Sequence, residues 1–220
     1  MAIFLNIDTA VETASVCLSN DTEVIGFAIN EKQKDHAAWL HTAVHNLMQD
    51  ERLRMDYLIA VAISIGPGSY TGLRIGLAAA KGLCYALNIP LITIGTLEMI
   101  ANATNIETAA LICPLIDARR MEVFTAVYDR SLQEIVKPSA MIVDKNSFAD
   151  ILSTNRVIFC GNGIKKLQSV LSHNNAAFSN RIATAANLPQ LAYKYFQEKK
   201  IAALVYTEPL YIKEFYFPPR

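Results

Sequence analysis

The stretch Ser64–Ile94, SIGPGSYTGLRIGLAAAKGLCYALNIPLITI, decides the fold that we predict for this chain. The apolar run that leads into it, Tyr57–Ser64, is typical of a buried strand, and the glycines and proline that follow predict a sharp turn. Apolar side chains recur at helical spacing over Leu73–Leu87, which predicts a helix, and Leu91–Ile94 is the next strand. We therefore expect a strand, a helix and a second strand joined by a right-handed crossover.

The predicted helix has small or apolar side chains almost all round. Ser69 or Thr71 can cap its first turn, and Gly76, Ala78 and Gly82 lie among its leucines. A helix of this composition is usually covered on more than one side.

The glycines before this helix do not match either common phosphate-binding motif. A P-loop requires a second glycine five residues after its first, but Thr71 follows Gly66 at that distance. The dinucleotide fingerprint G-x-G-x-x-G also fails, because the glycine falls at Gly72, one residue late. Exposed amides at the helix start could still bind an anion, and a tight strand-to-helix turn is the alternative explanation.

Five segments together carry a resemblance to a known family. They are IDTAVETASVCL (7–18), GPGSYTGLRIGLAAAKGLCYALNIPLITIGTLE (66–98), PLIDARRMEVFTAVY (114–128), FCGNGIKK (159–166) and EPLYIK (208–213). In these segments the chain resembles the TsaB (YeaZ) family, bacterial proteins of tRNA threonylcarbamoyladenosine biosynthesis. The resemblance extends over essentially the whole sequence, so it implies a fold as well as a function.

The implied fold is duplicated, and a weak internal repeat agrees with it. Leu111–Asp117 is an apolar run that ends on aspartate and precedes a strand at Val123–Tyr128, as Ile3–Asp8 precedes Ala14–Ser19. The resemblance places the chain in the superfamily of actin, sugar kinases and heat-shock chaperone ATPases. It implies an α/β, two-lobed actin-like ATPase (ribonuclease H-like) fold, in which each lobe is a mixed sheet flanked by helices. The predicted lobes are residues 1–103, with the partner-binding helices, and residues 104–220.

The remaining elements are predicted from local patterns. Helices are expected at His36–Met48, Thr96–Ala103 and Leu188–Lys200. Strands are expected at Glu23–Asn30, Val157–Cys160 and Pro209–Ile212, and two short strands, Glu134–Val136 and Ala140–Val143, are expected to pair around Lys137, Pro138 and Ser139. The aromatic tail Phe215–Arg220 is expected to dock on the protein or to be adhesive.

Charge and composition limit the classes of function. The chain has 220 residues with twenty basic and twenty acidic side chains, so its formal net charge is zero. Because a protein that holds tRNA alone needs several basic residues facing phosphates, we expect any tRNA contact to be made together with partners. The first apolar run is broken by Asn6 and Asp8, which argues against a signal peptide or a membrane span. Four separated cysteines, each in an apolar run, favour a reduced, cytoplasmic protein.

Two carboxylates are candidates for a residual nucleotide cleft. In the superfamily, an aspartate at the end of each lobe's first strand handles a metal-bound phosphate, and the resemblance assigns that position to Asp8 and Asp117. It also assigns phosphate contacts to Thr9 and Ser15, and the adenosine loop to Gly161 and Gly163. The chain continues after Asp117 as Ala-Arg-Arg-Met, without the glycine-rich turn of a second phosphate loop. The alternative is that each aspartate caps a turn.

No metal site is predicted. His41 and His45 have the spacing of a shared metal ligand pair, but Thr42 stands where the zincin motif requires glutamate. In TsaD, the catalytic paralogue, two metal-binding histidines follow the strand after the signature helix. Thr96 and Ile100 occupy those positions here, and isoleucine cannot bind a metal. The resemblance therefore implies a copy without catalytic residues and without a cofactor of its own.

The leading hypothesis is a scaffold subunit. The resemblance implies that the chain pairs with TsaD and, with the ATPase TsaE, supports transfer of threonylcarbamoyl to tRNA, contacting tRNA only through the complex. It leaves open whether ATP or ADP binds at a subunit interface, and whether the chain alone is a homodimer or a monomer. The predicted interface residues lie on the helices of the first lobe: Trp39, Ala43, Leu47, Leu77, Ala79, Ala80 and Tyr85.

Two enzyme hypotheses remain as alternatives. One is a nucleotide-dependent ATPase or phosphotransferase that uses Asp8 and Asp117. The other is a glycoprotease-like peptidase, although the sequence shows neither a nucleophile paired with a base nor a zinc motif.

Overall fold

The computed structural model describes residues 2–32, 35–104 and 110–213 of the chain. Contacts divide the chain into two compact units. The first unit comprises Met1–Met99 and Ala183–Pro209, and the second comprises Ile100–Ile182 and Leu210–Arg220. Each unit is built on one five-stranded mixed sheet.

The first sheet begins with an antiparallel meander and continues with two parallel strands. Its order is β3-β2-β1-β4-β5, with β4 parallel to β1 and β5 parallel to β4. The strands are β1 (Ile3–Asp8), β2 (Ala14–Asn20), β3 (Glu23–Asn30), β4 (Leu58–Ser64) and β5 (Leu91–Ile94). The helices of this part of the chain are α1 (His36–Asp50), α2 (Tyr70–Leu87) and α3 (Thr96–Ala103).

Both faces of the first sheet are covered, which explains why every residue of β1 is buried. Ile3, Leu5 and Ile7 join the core that α1 and α2 form on one face. Phe4 alternates to the other face and packs edge-on against Tyr193 and Phe196. These two aromatic residues belong to the helix Pro189–Gln197, the sixth of the chain.

The second sheet repeats the topology of the first. Its order, β10-β9-β6-β7-β8, again has an antiparallel meander followed by two parallel strands. The strands are β6 (Leu111–Asp117), β7 (Glu122–Tyr128), β8 (Glu134–Ile142), β9 (Val157–Cys160) and β10 (Ala176–Ser179). The helices that follow are α4 (Ala149–Thr154), α5 (Ile164–Gln168) and α6 (Pro189–Gln197). The matching strand orders give the predicted internal repeat a structural basis.

The units differ from the predicted lobes by four residues at the first boundary, which lies after Met99 instead of residue 103, and above all in residues 183–209. We expected this segment in the second lobe, but it packs on the first sheet. The Ala185 N–H donates to Ser15 Oγ at 2.8 Å, and the Ala202 N–H donates to the Leu91 carbonyl at 2.9 Å. Tyr195 also donates to Glu98 at 2.6 Å. The chain therefore returns to the first unit after it completes the second sheet.

Two strand predictions were wrong and one strand was missed. The predicted pair around Lys137, Pro138 and Ser139 is one edge strand, β8, which pairs with β7. The register between β7 and β8 shifts beside this proline, and an edge strand tolerates a residue that cannot donate a backbone hydrogen bond. Pro209–Ile212 is not a strand. The short strand β10 was not predicted, and the tail Phe215–Arg220 lies outside the described residues.

Hydropathy gives no sign of a membrane helix. Within the described residues, no helix combines the length and the apolar composition needed to cross a bilayer.

Candidate functional site

The turn after β1 lies in close contact with the start of α2. A Cβ atom on Gly72 would lie 2.0 Å from the Thr9 carbonyl oxygen, and one on Gly68 would lie 2.2 Å from the Ala10 carbonyl oxygen. A Cβ atom on Gly76 would lie 2.2 Å from Thr9 Oγ1. Any side chain at these positions would force the two segments apart. The three glycines therefore serve close packing, and their spacing of four is the sequence signal that indicates it.

Hydrogen bonds fasten the same contact. Thr9 Oγ1 donates to the Gly72 carbonyl at 2.7 Å, and the Ser69 N–H donates to the Ala10 carbonyl at 2.6 Å. Ser69 is also the N-cap of α2, as predicted, because its hydroxyl oxygen accepts from the Gly72 N–H. The Thr9 hydroxyl group, which was predicted to contact phosphate, is thus hydrogen-bonded within the first unit.

Asp8 is buried at the end of β1. Its Oδ1 accepts hydrogen bonds from Ser64 Oγ at 2.5 Å and from the Ala10 N–H at 3.1 Å. Among the described residues, its buried Oδ2 has no hydrogen-bond partner. Burial raises the pKa of this carboxyl group from 3.8 to about 6, although the two hydrogen bonds act in the opposite direction. Ser15 lies opposite Asp8 in the sheet register and is also buried.

Asp117 has a different environment at the end of β6. It is exposed, and its Oδ1 forms an ion pair with Lys166 at 2.7 Å. Lys166 also donates to the Glu122 carbonyl at 2.9 Å, and the Asp117 N–H donates to Asn162 Oδ1 at 2.9 Å. A metal-bound phosphate at Asp117 would have to compete with the ammonium group of Lys166.

Gly161 and Gly163 hold the turn after β9 against β6. The Gly163 N–H donates to the Leu115 carbonyl at 2.9 Å, and a Cβ atom on Gly161 would lie 2.4 Å from the same oxygen. Gly161 has a φ of 91°, a conformation that favours glycine. These two residues therefore have the same packing role in the second unit that the α2 glycines have in the first.

The six predicted nucleotide-binding residues form two groups. Asp8, Thr9 and Ser15 lie together in the first unit, whereas Asp117, Gly161 and Gly163 belong to the second. With the exception of Asp8 Oδ2, the side-chain oxygens of Asp8, Thr9 and Ser15 have protein partners, as does Asp117 Oδ1. Each of the six residues therefore has a structural contact within its own unit, whether or not a nucleotide binds.

The four cysteines are buried and are not ready nucleophiles. Burial raises the pKa of the Cys84 thiol to about 11 and that of the Cys17 thiol to about 12, and it also raises the pKa values of Cys113 and Cys160. Within residues 2–32, 35–104 and 110–213, no three side chains of histidine, cysteine, aspartate or glutamate converge as a metal site.

Five of the seven predicted interface residues are buried in the first unit. Ala43, Leu47, Leu77, Ala79 and Ala80 belong to its core, with exposures of 8% or less. Their assignment to a partner surface is therefore corrected. The apolar faces of α1 and α2 pack on the first sheet, because its apolar side chains would otherwise be exposed to water. Trp39 is half-buried against this core, and Tyr85 is 82% exposed.

The outer side of α2 carries small side chains and one large aromatic ring. Ala78, Gly82 and Tyr85 are exposed at helical spacing, and a Cβ atom on Gly82 would meet nothing within 4 Å. Lys81, one turn before Tyr85, donates to the carbonyls of Val205 and Thr207 at 3.1 and 3.2 Å.

These hydrogen bonds hold a second apolar segment beside α2. Val205 and Tyr206 within it are 77% and 84% exposed. We call Ala78, Gly82, Tyr85, Val205 and Tyr206 the α2 surface. An exposed group of this kind, with small residues beside large apolar ones, is typical of a protein interface.

Comparison with known proteins decides the family. The model of the family described as "TsaD: tRNA N6-adenosine threonylcarbamoyltransferase" matches residues 17–214. The chain belongs to this family. A Bacillus subtilis relative named tRNA threonylcarbamoyladenosine biosynthesis protein TsaB is 36% identical over 141 residues, which are 63% of this chain and 61% of that protein.

A second relative matches over a longer range. The Escherichia coli protein of the same name is 26% identical over 222 residues, 95% of this chain and 94% of that protein. The chain thus spans 61% of the length of the first relative and 94% of the second. These names confirm the resemblance to TsaB that the sequence motifs indicated.

A solved structure confirms the fold. It is a Pseudomonas aeruginosa protein described as similar to peptidase YeaZ, with a TM-score of 0.85 and 22% identity. The superposition covers 97% of this chain and 100% of that one. The predicted α/β, two-lobed actin-like ATPase fold is therefore confirmed.

Proposed function

We propose that this chain is a scaffold subunit that pairs with a TsaD protein during the synthesis of threonylcarbamoyladenosine in tRNA. The observation that carries the proposal is that the chain belongs to the TsaD family while its candidate catalytic positions have structural roles. Thr96 and Ile100, which stand where TsaD is expected to bind its metal, are buried, and Thr96 Oγ1 accepts from the Gly66 N–H at 3.0 Å. The names of the relatives support the pathway.

The α2 surface is the proposed contact with TsaD. Its small residues would allow a partner helix to approach closely, and its aromatic side chains would supply the large apolar anchors of an interface. We further propose that the complex works in the cytoplasm with TsaE, and that this chain contacts tRNA only as part of the complex. In the absence of TsaD, the same surface would pair with a second copy of this chain. ATP or ADP would bind between subunits.

A nucleotide-dependent enzyme is the less favoured alternative. The buried carboxyl group of Asp8 and the ion pair of Asp117 with Lys166 both argue against a pair of free carboxylates that hold a metal-bound phosphate. A peptidase has less support still, since burial raises the pKa values of all four cysteines and, among the described residues, no three histidine, cysteine, aspartate or glutamate side chains converge as a metal site.

Ala78→Glu should weaken the association with TsaD at least about tenfold. The substitution places a charged side chain within the α2 surface, where an interface would bury it without a partner. Ala78 is exposed and glutamate is a good helix former, so the folded chain should be unaffected. The measurement is sedimentation velocity and calorimetry of this chain with TsaD from the same organism.

Ala149→Glu is the matched control, because Ala149 is an exposed helical alanine of the second unit. It should bind TsaD like the unmodified chain. Equal affinity of the Ala78→Glu variant would exclude this surface, and failure of the unmodified chain to associate would reject the scaffold proposal. Substitutions at Ala79 or Ala80 do not test the interface, because a carboxylate there would lie in the core.

A further inference from the structure

The turn between β6 and β7 carries two adjacent arginines in an unusual backbone conformation. Arg119 and Arg120 have φ angles of 66° and 48°, in the left-handed region. The Glu122 N–H donates to the Arg119 carbonyl at 3.1 Å, and the Ala118 N–H donates to the Glu122 carbonyl at 3.1 Å, so the turn is tight. Glycine and asparagine adopt such angles far more readily than arginine. The sequence thus keeps two arginines where other residues would suit the backbone better.

Among the described residues, no carboxylate pairs with either of these arginines. The two nearby carboxylates are already paired, Asp117 with Lys166 at 2.7 Å and Glu122 with Lys213 at 2.5 Å. In the part of the chain that the structure describes, neither guanidinium group forms an ion pair or a hydrogen bond, and both side chains are exposed. The turn is therefore a local excess of positive charge on a chain whose net charge is zero.

The base of the turn is fixed in place. Lys166 donates to both the Asp117 carboxylate and the Glu122 carbonyl, and its side chain is only 15% exposed. Asp117 Oδ1 also accepts from the Arg119 N–H at 2.6 Å. These bonds hold the backbone on both sides of the two arginines, so a ligand would not have to order the turn on binding.

We propose that Arg119 and Arg120 contact the phosphate backbone of the RNA substrate. The inference rests on the proposed function, and it adds a direct RNA contact by this subunit. A guanidinium group binds phosphate with two parallel hydrogen bonds, and two adjacent arginines suit neighbouring phosphates. A protein partner is less well matched, because the exposed apolar side chains at the turn are Met121 and, opposite Glu122, Ile142, and two such residues beside two arginines do not make the apolar centre of a protein interface. Two contacts are also few enough to agree with a neutral chain that binds tRNA mainly within a complex.

The test is the salt dependence of binding to an unmodified tRNA transcript. The double variant Arg119→Gln/Arg120→Gln in complex with TsaD should bind about tenfold more weakly near 0.1 M salt. Two lost phosphate contacts should reduce the slope of log affinity against log salt by about 1.4–1.8. The control Arg130→Gln/Lys137→Gln removes two exposed positive charges from the other end of β7 and from β8, and it should leave affinity and slope unchanged.

A second variant separates RNA binding from the stability of the turn. Arg119→Asn/Arg120→Gly supplies residues that favour left-handed angles, so its Tm should rise by about 2–4 °C. It should nevertheless lose the same affinity for tRNA as the glutamine variant. A raised Tm with unchanged affinity and slope would overturn the proposal.

Failure of the proposed RNA contact can be distinguished from failure of the scaffold proposal. Sedimentation with TsaD is measured first for each variant, and tRNA binding is also titrated with this chain alone. If the unmodified chain does not assemble with TsaD, the scaffold proposal fails, whereas the slope difference in a single-chain titration started at low salt, where phosphate contacts are strongest, still decides the role of the arginines. Variants that lose assembly but keep tRNA binding would mean that the turn binds an acidic protein surface, which would overturn the RNA contact.

Discussion

Replacing Gly72 by alanine is expected to lower the free energy of unfolding by about 3 kcal/mol, the upper part of the range for overpacked interiors. The new Cβ atom would lie 2.0 Å from the Thr9 carbonyl oxygen, which is backbone and cannot rotate away. Gly68 and Gly76 make equally close approaches on either side, so the helix cannot slide to relieve the clash. The strain should also weaken the hydrogen bond from Thr9 Oγ1 to the Gly72 carbonyl.

Gly82→Ala is the matched control for this experiment. It makes the same chemical change in the same helix, but its Cβ atom meets nothing within 4 Å. Because alanine favours the helix over glycine, this variant should gain about 0.5–1 kcal/mol. Urea unfolding of both variants separates packing from helix propensity. A Gly72→Ala variant as stable as the unmodified chain would show that α2 can move away from the β1 turn.

Local patterns predicted most of the elements. The predicted bounds of β1, β3, β5, β6, β9 and α3 are those of the structure. Each of these segments is either an apolar run between turn residues or a short helical pattern, so neighbouring residues determine it. At Pro138 the local pattern predicted the wrong structure. Proline and its neighbours resemble a hairpin turn, but an edge strand accepts them because β7 supplies the pairing.

Long-range packing could not be predicted from these patterns. Residues 183–209 return to the first sheet through contacts such as Phe4 with Phe196, and no local signal indicates which sheet an amphipathic helix will cover. Local patterns also could not determine which side of α2 is buried. A helix with small or apolar residues all round does not specify its buried side, so Ala79 and Ala80 were assigned to the surface that Ala78 in fact occupies.

The candidate site was predicted by residue type but not by environment. Asp8 and Asp117 stand in equivalent strands and have the same side chain, yet one is buried beside Ser64 and the other is exposed beside Lys166. Those partners are 56 and 49 residues away in the chain. The sequence could indicate that the two aspartates matter, but their burial and their hydrogen-bond and ion-pair partners depend on contacts that only the folded chain brings together.

The buried carboxyl group of Asp8 should make the free energy of unfolding depend on pH. Its pKa is about 6 in the folded chain and 3.8 when unperturbed, so the folded state binds the proton more tightly. Between these two values the folded chain carries more protons at Asp8 than the unfolded chain, and the free energy of unfolding therefore falls as the pH rises. Each pH unit in this window lowers the free energy of unfolding by about 1.4 kcal/mol.

Asp8→Asn should remove this dependence, because an amide does not titrate. Relative to the unmodified chain, the variant should gain about 2 kcal/mol between pH 4.5 and pH 7, with the change levelling off above the folded pKa of about 6 and nearly complete at pH 7. Comparing the two proteins at each pH cancels other titrations, including that of His36, whose pKa is lowered by burial. Urea unfolding across this range is the measurement, and Asp50→Asn, at an exposed position, controls for loss of a carboxylate. A constant difference between Asp8→Asn and the unmodified chain would mean that Asp8 is charged at low cost, as it would be beside a bound cation, and would return the nucleotide cleft to consideration.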